Sequence, residues 1–370
     1  MIDYKLAKRL LINGEPTLLL DKEKVIANIK MMSKKAKRLN LSFRPHFKTH
    51  QSKTIASWFR NEGVDKITVS SLKMAEYFSL YGWEDITVAF PVNLHEINKI
   101  NKLAKKIKLN LLVEAPESVN FLIKNLKYHI NIFIKIDVGY NRTGIEADNF
   151  LFIKKLIDII NTSGKMSFKG FLTHAGQSYD LIGKEQILSL QKNILKKIAN
   201  LRANFSDKDI IVSVGDTPTC SIAEDFTGIN EIRPGNFVFY DLKQARIGSC
   251  NLKQIAVAMA VPVVAKHKKR NEIIVYGGAV HFSKDYILDK NNNPEYGLLV
   301  GFNGNKWTII KKEFYLKSLS QEHGIVKVDN EFFKKIDIGD VLIILPIHSC
   351  LTANLMKQYH TLSGKLIERL

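Results

Sequence analysis

Cysteine is scarce in this chain. Three residues, Cys220, Cys250 and Cys350, are an odd and sparse set that suits a reducing cytoplasm better than a disulfide framework. Long apolar runs are missing too. The longest, IAVAMAVPVVA at 255–265, stops well short of the ~20 residues that span a bilayer. The opening MIDYKLAKRLLINGEP lacks the charged, apolar, small-residue order of an export signal, so a cytoplasmic protein is expected. No G-x-G-x-x-G follows the first strand-like run, which counts against a dinucleotide-binding sheet. Acidic residues are few: 36 against 55 Lys and Arg, a net charge of +19. Such an excess raises the question of a nucleic-acid partner. The lysines, however, are spread along the chain on helix-like stretches such as NKINKLAKKIK, with no recognition helix, zinc knuckle or aromatic platform. The charge reads as a solvated basic surface that attracts anionic small molecules. Neither nucleic acid nor membrane is expected as a partner.

What the chain does contain is two textures. From 23 to 240, Lys-rich helical stretches alternate with β-rich runs: LSFRPHF, KITVS, DITVAF, IKLNLLV, INIFIKIDV, FKGFLTH, DIIVSVG and NFVFY. Repeated strand–helix units with near-continuous apolar strands indicate a parallel sheet covered by helices. Eight units at this length predict an α/β fold, a (β/α)8 TIM barrel, with a doubly wound open sheet as the alternative. After about Ile247 the runs are short, β-rich and separated by turn signals such as DKNNNPEYG and FNGNK, which predicts an all-β barrel or sandwich. The strand-like PTLLLD near the N-terminus is placed with it. The expected division is a barrel over 21–246 and a β-domain made of 1–20 plus 247–370.

In a barrel of this kind, chemistry collects at the C-terminal ends of the strands. Those ends read RPHFKTH, DVGYNRTG, THAGQSY and VGDTPTCS, and RPGNF leads into the eighth run. Lys48, flanked by Arg44, His46 and His50, is expected to have its ammonium form disfavoured by like charge and partial burial, as a Schiff-base lysine requires. A solvated basic patch is the plainer alternative. GDTPT (215–219) and RPGN (233–236) combine close backbone approach with hydroxyl and amide donors, the chemistry of a phosphate cradle after barrel strands seven and eight. Each loop alone could be an ordinary turn. A lysine at one rim and phosphate donors at another point to pyridoxal phosphate. In LPIHSCLT, His348 and Cys350 are two apart on a strand-like run, so both side chains are expected on one face, as half of a tetrahedral zinc site or, more plainly, as a buried Cys beside a satisfied His. SQEHG, with Glu322 and His323, is a second polar cluster in the same half.

RPHFKTH, DVGYNRTG, HAGQSY, GDTPT, RPGNFVFYD, EHG and HSC, in this order, resemble the D-serine dehydratase and D-threonine aldolase family of alanine racemase-like pyridoxal-phosphate enzymes. The resemblance covers nearly the whole chain. It implies a (β/α)8 barrel, a C-terminal β-domain, a homodimer and a divalent metal beside the cofactor. Carried over residue by residue, Lys48 would bind the cofactor covalently, Arg142 would lie near its ring oxygen, and His174 would belong to the cofactor site. Tyr179, Thr217, Gly235 and Asn236 would bind phosphate and ring, Tyr240 would stand near the pyridine nitrogen, and His348 and Cys350 would hold Zn2+. The chain departs from the family at IIVYGGAVHFSKD, where Tyr276 and His281 replace an Asp-containing, serine-rich version. That leaves the D-amino acid substrate open.

Three reactions fit such a site: dehydration of a D-3-hydroxy amino acid to a 2-oxo acid and ammonia, retro-aldol cleavage to glycine and an aldehyde, and racemisation. The His-x-Cys pair resembles the dehydratase branch, His-x-Asp the aldolase branch, and a thiolate favours zinc over harder ions. The expectation is therefore a zinc-assisted lyase acting on D-serine or a 3-hydroxyaspartate, with the aldolase second and the racemase third. A non-catalytic binding protein on a retired barrel is the remote alternative.

Overall fold

The computed structural model describes residues 6–205, 209–311 and 313–370. The chain forms two compact units. One comprises Ile29–Gly235 with Ile247–Ser249 and Leu370; the other comprises the chain up to Asn28, Asn236–Arg246 and Cys250–Arg369.

The first unit is built on eight parallel strands: β1 (Ser42–Phe43), β2 (Lys66–Val69), β3 (Asp85–Pro91), β4 (Lys108–Val113), β5 (Ile130–Asp137), β6 (Met166–Thr173), β7 (Ile211–Val214) and β8 (Glu231–Ile232). Their order is β1-β8-β7-β6-β5-β4-β3-β2. The ring closes just past β1. There His46 bridges Thr68 in parallel, the Phe47 N–H donates to the Thr68 carbonyl at 2.8 Å, and the Thr68 N–H donates to the Pro45 carbonyl at 2.9 Å. The apolar runs follow from this geometry: a strand covered on both faces has no solvent side to keep polar, and β5 (INIFIKID) is buried at every residue but the last. Helices such as Lys53–Arg60, Leu72–Ser79, Pro116–Asn125, Phe150–Asn161 and Lys184–Asn204 follow the strands.

The eighth strand is a correction to the sequence reading. It is Glu231–Ile232, whereas NFVFY begins as a 3-10 turn, Asn236–Val238, buried on every side. A two-residue strand is too short to leave a period, and a fully buried apolar turn has the composition of a strand.

Buried polar groups link neighbouring strands. Arg44 donates to Glu231 at 2.8 Å and to Asp85 at 2.5 Å, Ser213 donates to Glu231 at 2.7 Å, and Asn110 donates to Asp85 at 2.9 Å. Burial alone would raise the Asp85 pKa, but the Arg44 charge and the hydrogen bonds from Arg44, Lys108 and Asn110 outweigh it and hold the group at about 2. A carboxylate depressed in the fold stabilises it above its unfolded pKa and loses that contribution as pH falls through the folded value. Asp85→Asn is therefore expected to cost about 2 kcal/mol at pH 7. In urea melts the gap between variant and parent should narrow steadily from pH 4 to pH 2; a gap independent of pH over that range would refute the assignment.

The second unit is an antiparallel barrel. Strands Glu272–Tyr276, His323–Lys327, Tyr315–Leu319, Gly297–Phe302, Val341–Pro346 and Val257–His267 pair in that order, and the last pairs back to the first. The N-terminal strand Thr17–Leu20 joins it, antiparallel to Val257–His267 with Leu18 opposite Met259. Among the described residues, no helix is long and apolar enough to cross a membrane.

Candidate active site

The loop after β1 carries Lys48 on a rigid base. Phe47 is fully buried, with its ring 4.4–5.1 Å from those of His50, Phe59, Phe78 and Trp83. The Lys48 N–H donates to His46 Nδ1 at 3.3 Å, and its carbonyl accepts from Gln51 at 2.9 Å. Its side chain is exposed, not partly buried as the sequence reading expected. The fully buried neighbours Phe47 and Thr49 anchor the turn, and that anchoring leaves Lys48 pointing outward.

The other barrel candidates lie at the same strand ends. After β5, the Asp137 carboxylate accepts the N–H groups of Gly139, Tyr140 and Asn141 at 2.8–2.9 Å, shaping the loop that presents Arg142. Arg142 is exposed, its guanidinium 5.0 Å from the Tyr140 ring centre. After β6, His174 Nδ1 bonds the Gly215 carbonyl of the β7 loop. A carbonyl only accepts, so Nδ1 carries the proton and Nε2 the lone pair. Burial, with the nearby charges of Lys48, Arg142 and Arg233, lowers the His174 pKa to about 3 against the raising effect of the Gly215 bond. The imidazole is thus neutral at physiological pH. The Tyr179 hydroxyl accepts the Thr217 N–H at 3.3 Å, and Ser178 donates at 3.0 Å to Asp216, which caps the turn Thr217–Ile222 through Thr219. Burial raises the Asp216 pKa to about 6.

The loops after β7 and β8 need their glycines for close approach. A Cβ on Gly215 would lie 2.8 Å from Arg233 Cβ, and one on Gly235 would lie 3.0 Å from both Cβ and O of His46. The RPGN loop is thereby held against the Lys48 loop, and the His46 N–H donates to the Pro234 carbonyl at 2.9 Å. Lys48, Arg142, His174, Tyr179, Thr217 and Gly235 thus share one end of one barrel. Three cations, Lys48, Arg142 and Arg233, bear on His174, and Thr173 Oγ1 is buried there with no hydrogen-bond partner. An anionic phosphate ester with ring oxygens suits this donor-rich, positive set.

In the second unit, Tyr240 is fully buried in left-handed backbone with φ 50°. His348 and Cys350 are not on a strand, as the sequence reading had them. The strand ends at Pro346, and His348 stands at the position just before the helix Ser349–Met356. His348 Nδ1 lies 2.5 Å from Asp285 Oδ2, and Cys350 hydrogen-bonds the same imidazole. With Nδ1 engaged by a carboxylate, a metal held by this imidazole would sit at Nε2, the nitrogen toward Cys350, and the carboxylate fixes the ring's orientation. An imidazole with a thiolate is a donor set for zinc. Among the described residues, no group of three or more His, Cys, Asp or Glu side chains is arranged to hold a metal, so the pair would leave coordination positions open. Asn236 Nδ2 donates to Asp241 at 2.6 Å, Ser349 Oγ at 3.1 Å and Cys350 Sγ at 3.5 Å, which commits that amide to the His348–Cys350 segment. His281 Nδ1 accepts the Gly278 N–H at 3.2 Å, its ring meets Tyr276 edge-on, and burial lowers its pKa.

Sequence reasoning missed Asp285 and Asp241. Asp285 is 63 residues from His348, and only the fold brings them together.

The alanine racemase N-terminal domain model matches residues 20–243, and a model described as "Putative serine dehydratase domain" matches 256–362. A D-serine dehydratase of Dictyostelium discoideum is 29% identical over 95% of this chain and 94% of its own. A D-threo-3-hydroxyaspartate dehydratase of Delftia sp. is 28% identical over 96% of each chain. The solved structure of the Delftia enzyme superposes with a TM-score of 0.87 over 98% of both chains at 26% identity. A cysteine-to-alanine variant of that enzyme, solved in a metal-free form, superposes with a TM-score of 0.89. A D-threonine aldolase of Arthrobacter sp. is 22% identical over 92% of this chain and 86% of its own.

Proposed function

This chain belongs to the D-serine dehydratase and D-threonine aldolase family of alanine racemase-like, pyridoxal-phosphate-dependent enzymes, and from that premise we propose that it dehydrates a D-3-hydroxy amino acid of the D-serine type to a 2-oxo acid and ammonia. The observation that carries the reading is the His348–Cys350 pair with Asp285 on the imidazole, together with an exposed lysine at the barrel's strand ends. Bound at these residues, pyridoxal phosphate supplies an electron sink that acidifies the substrate's α-proton, and zinc supplies a Lewis acid for the β-hydroxyl.

The chain's own residues do the rest. Lys48 would attach the cofactor and, as a free amine, take the α-proton at Nζ. Arg142 would lie near the ring oxygen, Tyr179, Thr217 and Gly235 would gather the phosphate, and Tyr240 would stand near the ring, while the Asn236 amide serves the His348–Cys350 segment. His174 has no proton at Nε2 and therefore accepts a hydrogen bond there. His348 Nε2 and Cys350 Sγ would hold the zinc, and Asp285, bonded to Nδ1, would keep the imidazole in the tautomer that ligates.

A cytoplasmic homodimer goes with this reading; the three sparse cysteines, none of them disulfide-bonded, support the compartment. Given D-serine, zinc and pyridoxal phosphate, the protein should release pyruvate and ammonia in equal amounts, and a chelator should stop it. Chelator-insensitive turnover would remove zinc from the account.

A further inference from the structure

One buried carboxylate stands behind the metal pair without touching a ligand atom. Asp241 is 1% exposed. Its Oδ1 accepts the Gln244 N–H at 2.9 Å and caps the short helix Leu242–Ile247. Its Oδ2 accepts three donors: Asn236 Nδ2 at 2.6 Å, the Ser349 N–H at 3.0 Å and Ser349 Oγ at 3.2 Å. Ser349 is the residue between His348 and Cys350. Asn236, held by the same oxygen, reaches on to Cys350 Sγ at 3.5 Å.

We propose that Asp241 is a positioning residue for zinc. It grips Ser349 by backbone and side chain, which fixes the directions in which His348 and Cys350 leave the chain. Through Asn236 it also aims an N–H at the sulfur, which orients the thiolate. Partners of this kind behind metal ligands commonly matter 10–100-fold in affinity. Capping of the helix Leu242–Ile247 does not account for the arrangement, because it uses Oδ1 alone and asparagine caps as well as aspartate. Oδ2 instead takes the first N–H of the helix Ser349–Met356 together with the Ser349 hydroxyl. The three donors on Oδ2 converge on the 348–350 segment and on nothing in the capped helix.

Asp241→Asn separates the two roles. The amide has one acceptor oxygen, and if that oxygen stays on Gln244, its NH2 group meets the donors of Asn236 and Ser349. The proposal rests on the zinc reading above, so the test includes His348→Ala as its reference. Zinc affinity is measured by competition with a chromogenic chelator on protein loaded with pyridoxal phosphate, and the cofactor's visible absorbance is followed in parallel. The expected result is stoichiometric zinc in the parent, none in His348→Ala, and a dissociation constant raised about 10–100-fold in Asp241→Asn with the absorbance retained. A dissociation constant within twofold of the parent overturns the positioning role and leaves the zinc reading intact. A parent that takes up no zinc overturns both. Should Asp241→Asn fail to fold, Ser349→Ala and Asn236→Ala each remove one spoke. Each should weaken zinc about fivefold, the effect of one lost hydrogen bond, and unchanged affinity in both overturns the proposal.

Discussion

Lys48→Ala lowers deamination of D-serine by about 10⁴-fold or more, because it removes both the covalent anchor for the cofactor and the base for the α-proton. The fold should not notice. Lys48 is exposed, its N–H and carbonyl bonds belong to the backbone, and the turn is anchored by buried Phe47 and Thr49. Surface truncations of this kind usually stay within about 0.5 kcal/mol. The variant is therefore expected to melt with the parent while losing the covalent cofactor adduct, read by mass spectrometry after borohydride reduction. Retention of every activity by Lys48→Ala would return the chain to the non-catalytic reading. A melting point far below the parent's would show the lysine to be structural.

His348→Ala and Cys350→Ala separate the metal from the cofactor. Each variant should lose stoichiometric zinc and slow dehydration about 10³-fold, which corresponds to roughly 4 kcal/mol of leaving-group stabilisation. The cofactor's absorbance should persist, because Lys48, its proposed covalent anchor, is unchanged in both variants. Asp285→Asn tests the orientation argument in the same assay. Its amide accepts at only one atom, so zinc affinity should fall about 10-fold or more while some dehydration remains. Variants that shed zinc but turn over at the parent's rate would show that the Lewis acid is not needed.

The barrel is legible because parallel strands covered on both faces write near-continuous apolar runs, as INIFIKID does. The strand ends were legible because glycine, hydroxyl and titratable residues gathered there at regular intervals. Legibility failed where structure is short or depends on distant residues. NFVFY has strand composition but is a buried turn, and β8 is only two residues long. His348 and Cys350 do meet, but at a helix start and not on the strand that their spacing suggested. The helix start that carries them is set by Asp241, over 100 residues away, accepting from Ser349. Lys48 is exposed although charge crowds around it, because neighbouring Phe47 is the buried residue of the turn and crowded charge does not by itself bury a side chain. Asp285 left no local signal at all.

D-threonine distinguishes the two lyase readings in a single tube, since the same molecule yields different products by each route. With zinc and pyridoxal phosphate supplied, this account predicts 2-oxobutanoate and ammonia in equal amounts from D-threonine, with no glycine. Glycine and acetaldehyde in equal amounts would contradict it and make the protein an aldolase that uses a cysteine ligand.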